Sequence, residues 1–266
     1  MIALLAILVL ATPDQTAADA SWAALSAFAA AAPAEPEPPP GLRAPAGTPR
    51  HERARKVYAK GLAVWQAARR KHFEDLERRC AKHWTDHGDN HARETRDLWA
   101  GACFELGRYA EARAAWATLY RRGMRDVGPK LVAACRALGD FEAALKYGGP
   151  TPEALEEAGQ VDRAISAARR AGRSKLAADW ALIGKVYPAL GKIPQFKGPA
   201  LLLVDRTLPE PVRKALVASS VGKIPFFSFS DGRSAIYLVD SKGVVRAVNP
   251  RLDTLQHRIK QLLSTR

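Results

Sequence analysis

The stretch Leu106-Gly107-Arg108-Tyr109-Ala110-Glu111-Ala112 returns as Leu138-Gly139-Asp140-Phe141-Glu142-Ala143-Ala144. A looser echo follows at Ala158-Gly159-Gln160-Val161-Asp162-Arg163-Ala164. Each phrase reads as a corner between two antiparallel helices. Glycine accepts the positive φ that ends the first helix. The aromatic two residues on covers the turn, and the alanine lets the second helix approach closely. A chain with such corners stacks helical hairpins, and their periodicity sets what the rest of it can do.

With 266 residues, 47% of them hydrophobic, the chain has room for two domains and a buried core. The formal charge of +14 suggests acidic partners. Its distribution argues against dedicated nucleic-acid binding: residues 1–50 carry −2, and the later segments of about fifty residues carry +4, +3, +3 and +6. No dense basic tract interleaved with aromatics occurs.

Ile2 to Ala11 is a continuous apolar run, too short to span a bilayer as a helix. Ala18-Asp19-Ala20 follows as a small-x-small site, so residues 1–20 read as a signal peptide cleaved before Ser21. That places the mature chain, without a transmembrane helix, in the periplasm or outside the cell. No Lys or Arg precedes the run, and an uncleaved apolar anchor or a misassigned start codon is the alternative. Residues 21–50 are rich in Ala and Pro and read as an extended linker.

From His51 to Trp84 the pattern is helical, either one long helix or a hairpin. Phe73, Leu76, Cys80 and Trp84 recur at spacings of three and four on one apolar stripe. Cys80, His83, His87 and His91 would line four metal donors along an unbroken helix. Gly88-Asp89-Asn90 reads as a helix stop and restart, and Cys80 already belongs to the apolar stripe. The expectation is therefore a buried cysteine with surface histidines and no bound metal.

Residues 94–171 carry the repeat. Trp99, Cys103, Gly107, Tyr109, Ala112 and Trp116 form a pattern that resembles the tetratricopeptide repeat, and Leu131, Cys135, Gly139, Phe141 and Ala144 repeat it 32 residues later. The third phrase comes after only 20 residues, which departs from that family. The resemblance implies an α-helical repeat domain over 51–190 that presents a surface to a protein partner. Cys103 and Cys135, four residues before their glycines, should face the packed interior. Trp116, Tyr120, Arg113 and Arg121 read as packing and solvated-face residues.

After the Gly- and Pro-punctuated stretch 184–198 the period changes. Leu201–Val204, Ile224–Phe229, Ala235–Val239 and Val244–Val248 read as strands. Asp240-Ser241-Lys242-Gly243 reads as a hairpin turn. A helix begins at Leu208-Pro209, with Val212, Ala215 and Leu216 on its packed side. A last helix carries Leu252, Leu255, Ile259 and Leu262 on one face, capped by Asn249-Pro250. The stretch from Arg233 to Arg246, with Ile224 to Asp231 before it, resembles thioredoxin-like proteins, peroxiredoxins above all. The resemblance implies a small thioredoxin-like α/β domain over 198–266, with Arg233 at the position of a peroxide-holding arginine.

That chemistry requires a thiolate. No cysteine follows Cys135, no Cys-x-x-Cys occurs, and Ser234 stands where thioredoxins place a proline. The segment reads as a scaffold without catalytic residues or a cofactor. His72 and His257 are isolated, and Ser219 and Ser220 lack a nucleophile-elbow context.

The sequence therefore predicts an α-helical-hairpin repeat domain followed by a small thioredoxin-like α/β domain. The expected function is a non-enzymatic protein-interaction scaffold of the bacterial envelope or periplasm, with a protein partner. The alternatives are a redoxin-like activity completed by Cys80, Cys103 or Cys135, and electrostatic binding to nucleic acid or an anionic polymer.

Overall fold

A computed structural model describes residues 13–45, 47–187, 200–205, 225–229, 236–250 and 252–264. The protein is mostly helical, with one small sheet. The chain divides into two compact units, Met1–Ala134 and Cys135–Arg266.

In the first unit, α1 (Pro13–Ala30) packs on α2 (Pro49–His87). The helix over Ser21–Ala30 corrects the expectation of an extended linker there. That stretch contains no proline, and Trp22, Leu25 and Phe28 at spacing three give it a face to bury against Phe73, Leu76 and Cys80. Helix α2 is one continuous element of 39 residues rather than a hairpin. Thr48 caps its start by accepting from the His51 N–H at 3.3 Å, and Pro49 occupies the first turn. Gly88, at φ +58°, ends it, as the Gly-Asp-Asn signal predicts. The buried stripe of α2 runs Phe73, Leu76, Cys80 and then His83, not Trp84, which instead faces Trp99 with ring centroids 6.4 Å apart.

Helices α3 (Ala92–Glu105) and α4 (Tyr109–Arg121) form the first hairpin. Phe104 meets Tyr109 beside the turn, and Asp97 meets Trp116 at the far end, so the two run antiparallel. At the corner Gly107 takes φ +79°. The Arg108 N–H then reaches back to the Cys103 carbonyl at 2.8 Å, and the Gly107 N–H to Phe104 at 3.0 Å. This satisfies carbonyls that the helix end would otherwise leave unpaired. Ala112 is fully buried behind the corner.

The same closure recurs after α5 (Gly128–Ala137), where the Asp140 N–H bonds Cys135 O at 2.9 Å. It recurs again after α7 (Pro152–Glu157), with Gln160 N–H on Leu155 O at 2.8 Å, and after α8 (Val161–Arg170), with Arg173 N–H on Ala168 O at 2.9 Å. Positive-φ glycines also follow α4, at Gly123, and α6 (Phe141–Gly148), at Gly149. Helices thus end every sixteen residues from Gly107 to Gly139 and every ten from there to Gly159. The second hairpin spacing shrinks because α6 and α7 are only eight and six residues long.

The second unit also holds α9 (Ser174–Trp180), strands β1 (Ala200–Asp205), β2 (Phe226–Phe229), β3 (Ile236–Asp240) and β4 (Val245–Val248), and helix α10 (Leu252–Ser264). The sheet order is β2-β1-β3-β4, with β1 parallel to β2 and antiparallel to β3. As a wholly apolar run predicts, β1 is covered on both faces. Leu201 and Leu203 enter one core with Ala164, Ala168, Ala177 and Trp180 of the short helices. Ala200, Leu202 and Val204 enter another with Leu255 and Ile259 of α10. The hairpin turn is held by the Asp240 carboxylate, which accepts from the Lys242 and Val244 N–H groups at 2.9 and 3.0 Å and from Arg246 at 2.6 and 2.8 Å.

Asn249, expected at the start of α10, has another role, and Arg251, directly before that helix, lies outside the described residues. The Asn249 side-chain oxygen accepts from the Ile236 N–H at 2.9 Å, fastening β3 beyond the end of β4. The expected helix from Leu208 and the residues Arg233 and Ser234 lie outside the described residues. No described helix is long and apolar enough to cross a membrane.

Candidate binding pocket of the first unit

Helices α1 to α5 contribute to an open pocket of about 320 Å³. Phe73 and Leu76 of α2, Leu98, Gly101 and Phe104 of α3, and Trp116 of α4 form its apolar wall. The spacing explains the wall: Leu98 and Gly101 lie three apart on one side of α3, and Phe104 three further on. Gly101 lies inside α3, where glycine costs the helix about 1 kcal/mol relative to alanine. A β-carbon there would meet nothing within 4 Å, so the missing side chain is open volume facing the pocket.

One corner of the pocket is polar. The Trp116 indole N–H donates to Asp97 Oδ1 at 2.8 Å, and Lys130 Nζ reaches both Asp97 oxygens at 2.9 and 2.6 Å. The Asp97 carboxylate therefore fixes the ring of a tryptophan that is only 3% exposed. Trp116 is a packing residue, as the sequence suggests, and one of its edges also lines the pocket. Glu105, at the opposite rim, is held by Arg69 at 2.7 Å, and the Arg69 guanidinium lies 5.2 Å above the Phe73 ring. The arrangement offers an apolar recess flanked by ion pairs already made.

The histidine series takes a different form from a ligand set. Cys80 is fully buried in the apolar cluster of Leu25, Phe73 and Leu76. His83 is buried too, which corrects the expectation of a surface residue. Its Nε2 donates to the Asn90 carbonyl at 3.3 Å, and its Nδ1 accepts from the Ser21 hydroxyl at 3.0 Å. His91 adopts a left-handed backbone at φ 53°, donates to Asp19 at 2.8 Å and stacks on Trp22 at 5.3 Å. His87 lies beside His83, ring centroids 4.9 Å apart. Among the described residues no group of three or more His, Cys, Asp or Glu is arranged to hold a metal ion.

His72 and His257 are not isolated. His72 is buried and stacked on Phe28 at 4.5 Å, and His257 donates to the Ala137 carbonyl at 2.8 Å.

Cys80, Cys103 and Cys135 are buried, and none of the three is in a disulfide. Burial, reinforced by the nearby Cys103 and Glu77, pushes the Cys80 thiol up to about 12. Burial likewise pushes Cys103 up to about 11 against the pull of Arg108, whose guanidinium donates to its sulfur at 3.3 Å. Thiols held so far from ionisation are poor nucleophiles.

Sequence reasoning pointed at Trp116 but missed Asp97, Lys130 and Gly101. Lys130 follows Asp97 by 33 residues, and only the fold brings them together. Compared with models of protein families, with curated proteins and with solved structures, the chain matches none of them.

Proposed function

We propose that the protein is a non-enzymatic protein-binding module of the bacterial envelope or periplasm. In this reading the hairpins form a tetratricopeptide-like stack, and the C-terminal segment is a thioredoxin-like scaffold without its cysteines. The pocket between Leu98, Gly101, Phe104 and Trp116 takes an apolar side chain of a partner protein's exposed segment. The observation that carries the reading is Gly101, a helix-interior glycine whose open side faces an apolar recess. The raised thiols of Cys80 and Cys103 count against the thiol-oxidoreductase alternative.

The test is selection of a displayed library of random dodecapeptides on the purified protein. Enriched peptides should share a Leu, Phe or Trp anchor and lose at least tenfold in affinity for Gly101→Phe, which fills the recess. Enriched peptides that bind Gly101→Phe unchanged, or no enrichment at all, would refute it.

A further inference from the structure

The N-terminal half of α2 carries a second surface, unconnected with the pocket. Between Arg50 and Lys71 the helix holds eight cationic side chains and a single acid, Glu52. Three of the cations are neutralised: Arg55 by Glu52, Arg69 by Glu105 and Arg70 by Glu74. Lys56, Lys60 and Lys71 are exposed and pair with no acid among the described residues.

These cations are ordered on the helix. Arg53, Val57, Lys60, Val64, Ala67 and Lys71 follow one another at spacings of four and three, which places them on a single face. The packed side is another: Ala54 meets Gly41, Trp65 donates to the Pro33 carbonyl at 3.0 Å, and His72 and Phe73 are buried. Val57 and Val64 are 68% and 64% exposed, among the few large apolar side chains left in solvent. The result is a face of cations interleaved with Val57, Val64 and Ala67, roughly 27 Å long at 1.5 Å per residue.

We propose that this face docks the protein on an anionic phospholipid surface. Cations interleaved with apolar side chains along one face match a plane of phosphate headgroups above acyl chains. A nucleic-acid phosphate backbone would engage the cations and gain nothing from the valines. A partner helix would need acids facing Lys60 and Lys71 at once, whereas a lipid surface supplies negative charge wherever a cation lands.

The experiment is co-sedimentation of the full chain with vesicles of 30% phosphatidylglycerol in phosphatidylcholine, and with pure phosphatidylcholine, at 50 and 300 mM salt. Binding should favour the anionic vesicles and weaken with salt. Lys60→Gln with Lys71→Gln should lower it on the order of 30-fold, at about fivefold per cation. Val57→Ser with Val64→Ser should weaken vesicle binding and leave retention on duplex DNA unchanged. All four positions are exposed, and circular dichroism is the check that the variants fold. Equal binding to both vesicle types, indifference to the lysine pair, or indifference to the valine pair would each overturn the proposal. Tighter retention on DNA than on the anionic vesicles would overturn it in favour of a polyanion partner.

Discussion

A β-carbon on Gly139 would lie 2.9 Å from Nδ1 of His257. The α5–α6 corner and the last helix are thus fitted to each other at one residue. His257 also donates to the Ala137 carbonyl and meets the Phe141 ring edge-on, with centroids 6.3 Å apart. The glycine that turns the hairpin leaves the space in which the imidazole lies.

Gly107 and Gly139 share nearly the same φ but differ in surroundings, since nothing stands within 4 Å of a β-carbon at Gly107. Gly107→Ala should cost about 1 kcal/mol, the backbone penalty alone. Gly139→Ala should cost at least about 1 kcal/mol more, through the clash with His257. Urea denaturation of the two variants checks this, and His257→Ala in the Gly139→Ala background should remove the excess.

Asp97→Ala strands the Trp116 indole N–H and frees Lys130. A buried donor left unpaired costs about 1–3 kcal/mol, so the midpoint of thermal unfolding should fall. Lys130→Ala leaves the indole bond intact, and its effect should stay within about 1 kcal/mol because the lysine is half exposed.

Burial holds the pKa of His83 below the usual imidazole value of 6.5, with a smaller push from His87 and His91 against the Asn90 carbonyl and Asp86. In the pH range just below 6.5 the unfolded chain therefore binds a proton that the folded chain refuses. The stability this site contributes is complete above 6.5 and is lost as pH falls below it. Urea midpoints should drop between pH 7.5 and 5.5, and His83→Phe should flatten that part of the profile.

With thiols at about 12 and about 11, Cys80 and Cys103 are ionised in about one molecule in a thousand or fewer at pH 8. Ellman's reagent should find neither in the native protein within minutes and should titrate all three cysteines after unfolding. Rapid native reaction of Cys80 or Cys103 would reopen the redox alternative.

The corners at Gly107 and Gly139 are legible because glycine, aromatic and alanine recur at fixed offsets, and the corner at Gly159 because glycine and alanine keep those offsets with Val161 in the aromatic's place. Gly123, Gly149 and Gly172 use the same backbone device without the aromatic, and no phrase betrays them. Helix α1 hid behind the prolines that follow it, although Trp22, Leu25 and Phe28 carry a helical spacing. Leu201–Val204 read correctly as a doubly covered strand because four apolar residues in a row leave no solvent face. His83 read as a surface residue because its burial depends on Ser21 and Asn90, which only the fold brings to it. The pocket was invisible for the same reason: its polar corner joins residues from three helices.

Calorimetric titration of a selected peptide into three proteins, the wild type, Gly101→Ala and Gly101→Phe, tests the pocket most directly. Alanine adds helix stability of about 1 kcal/mol and little volume. Binding should survive Gly101→Ala, with a raised melting temperature, and fall at least tenfold in Gly101→Phe. Equal affinity for all three would contradict the pocket as the docking site.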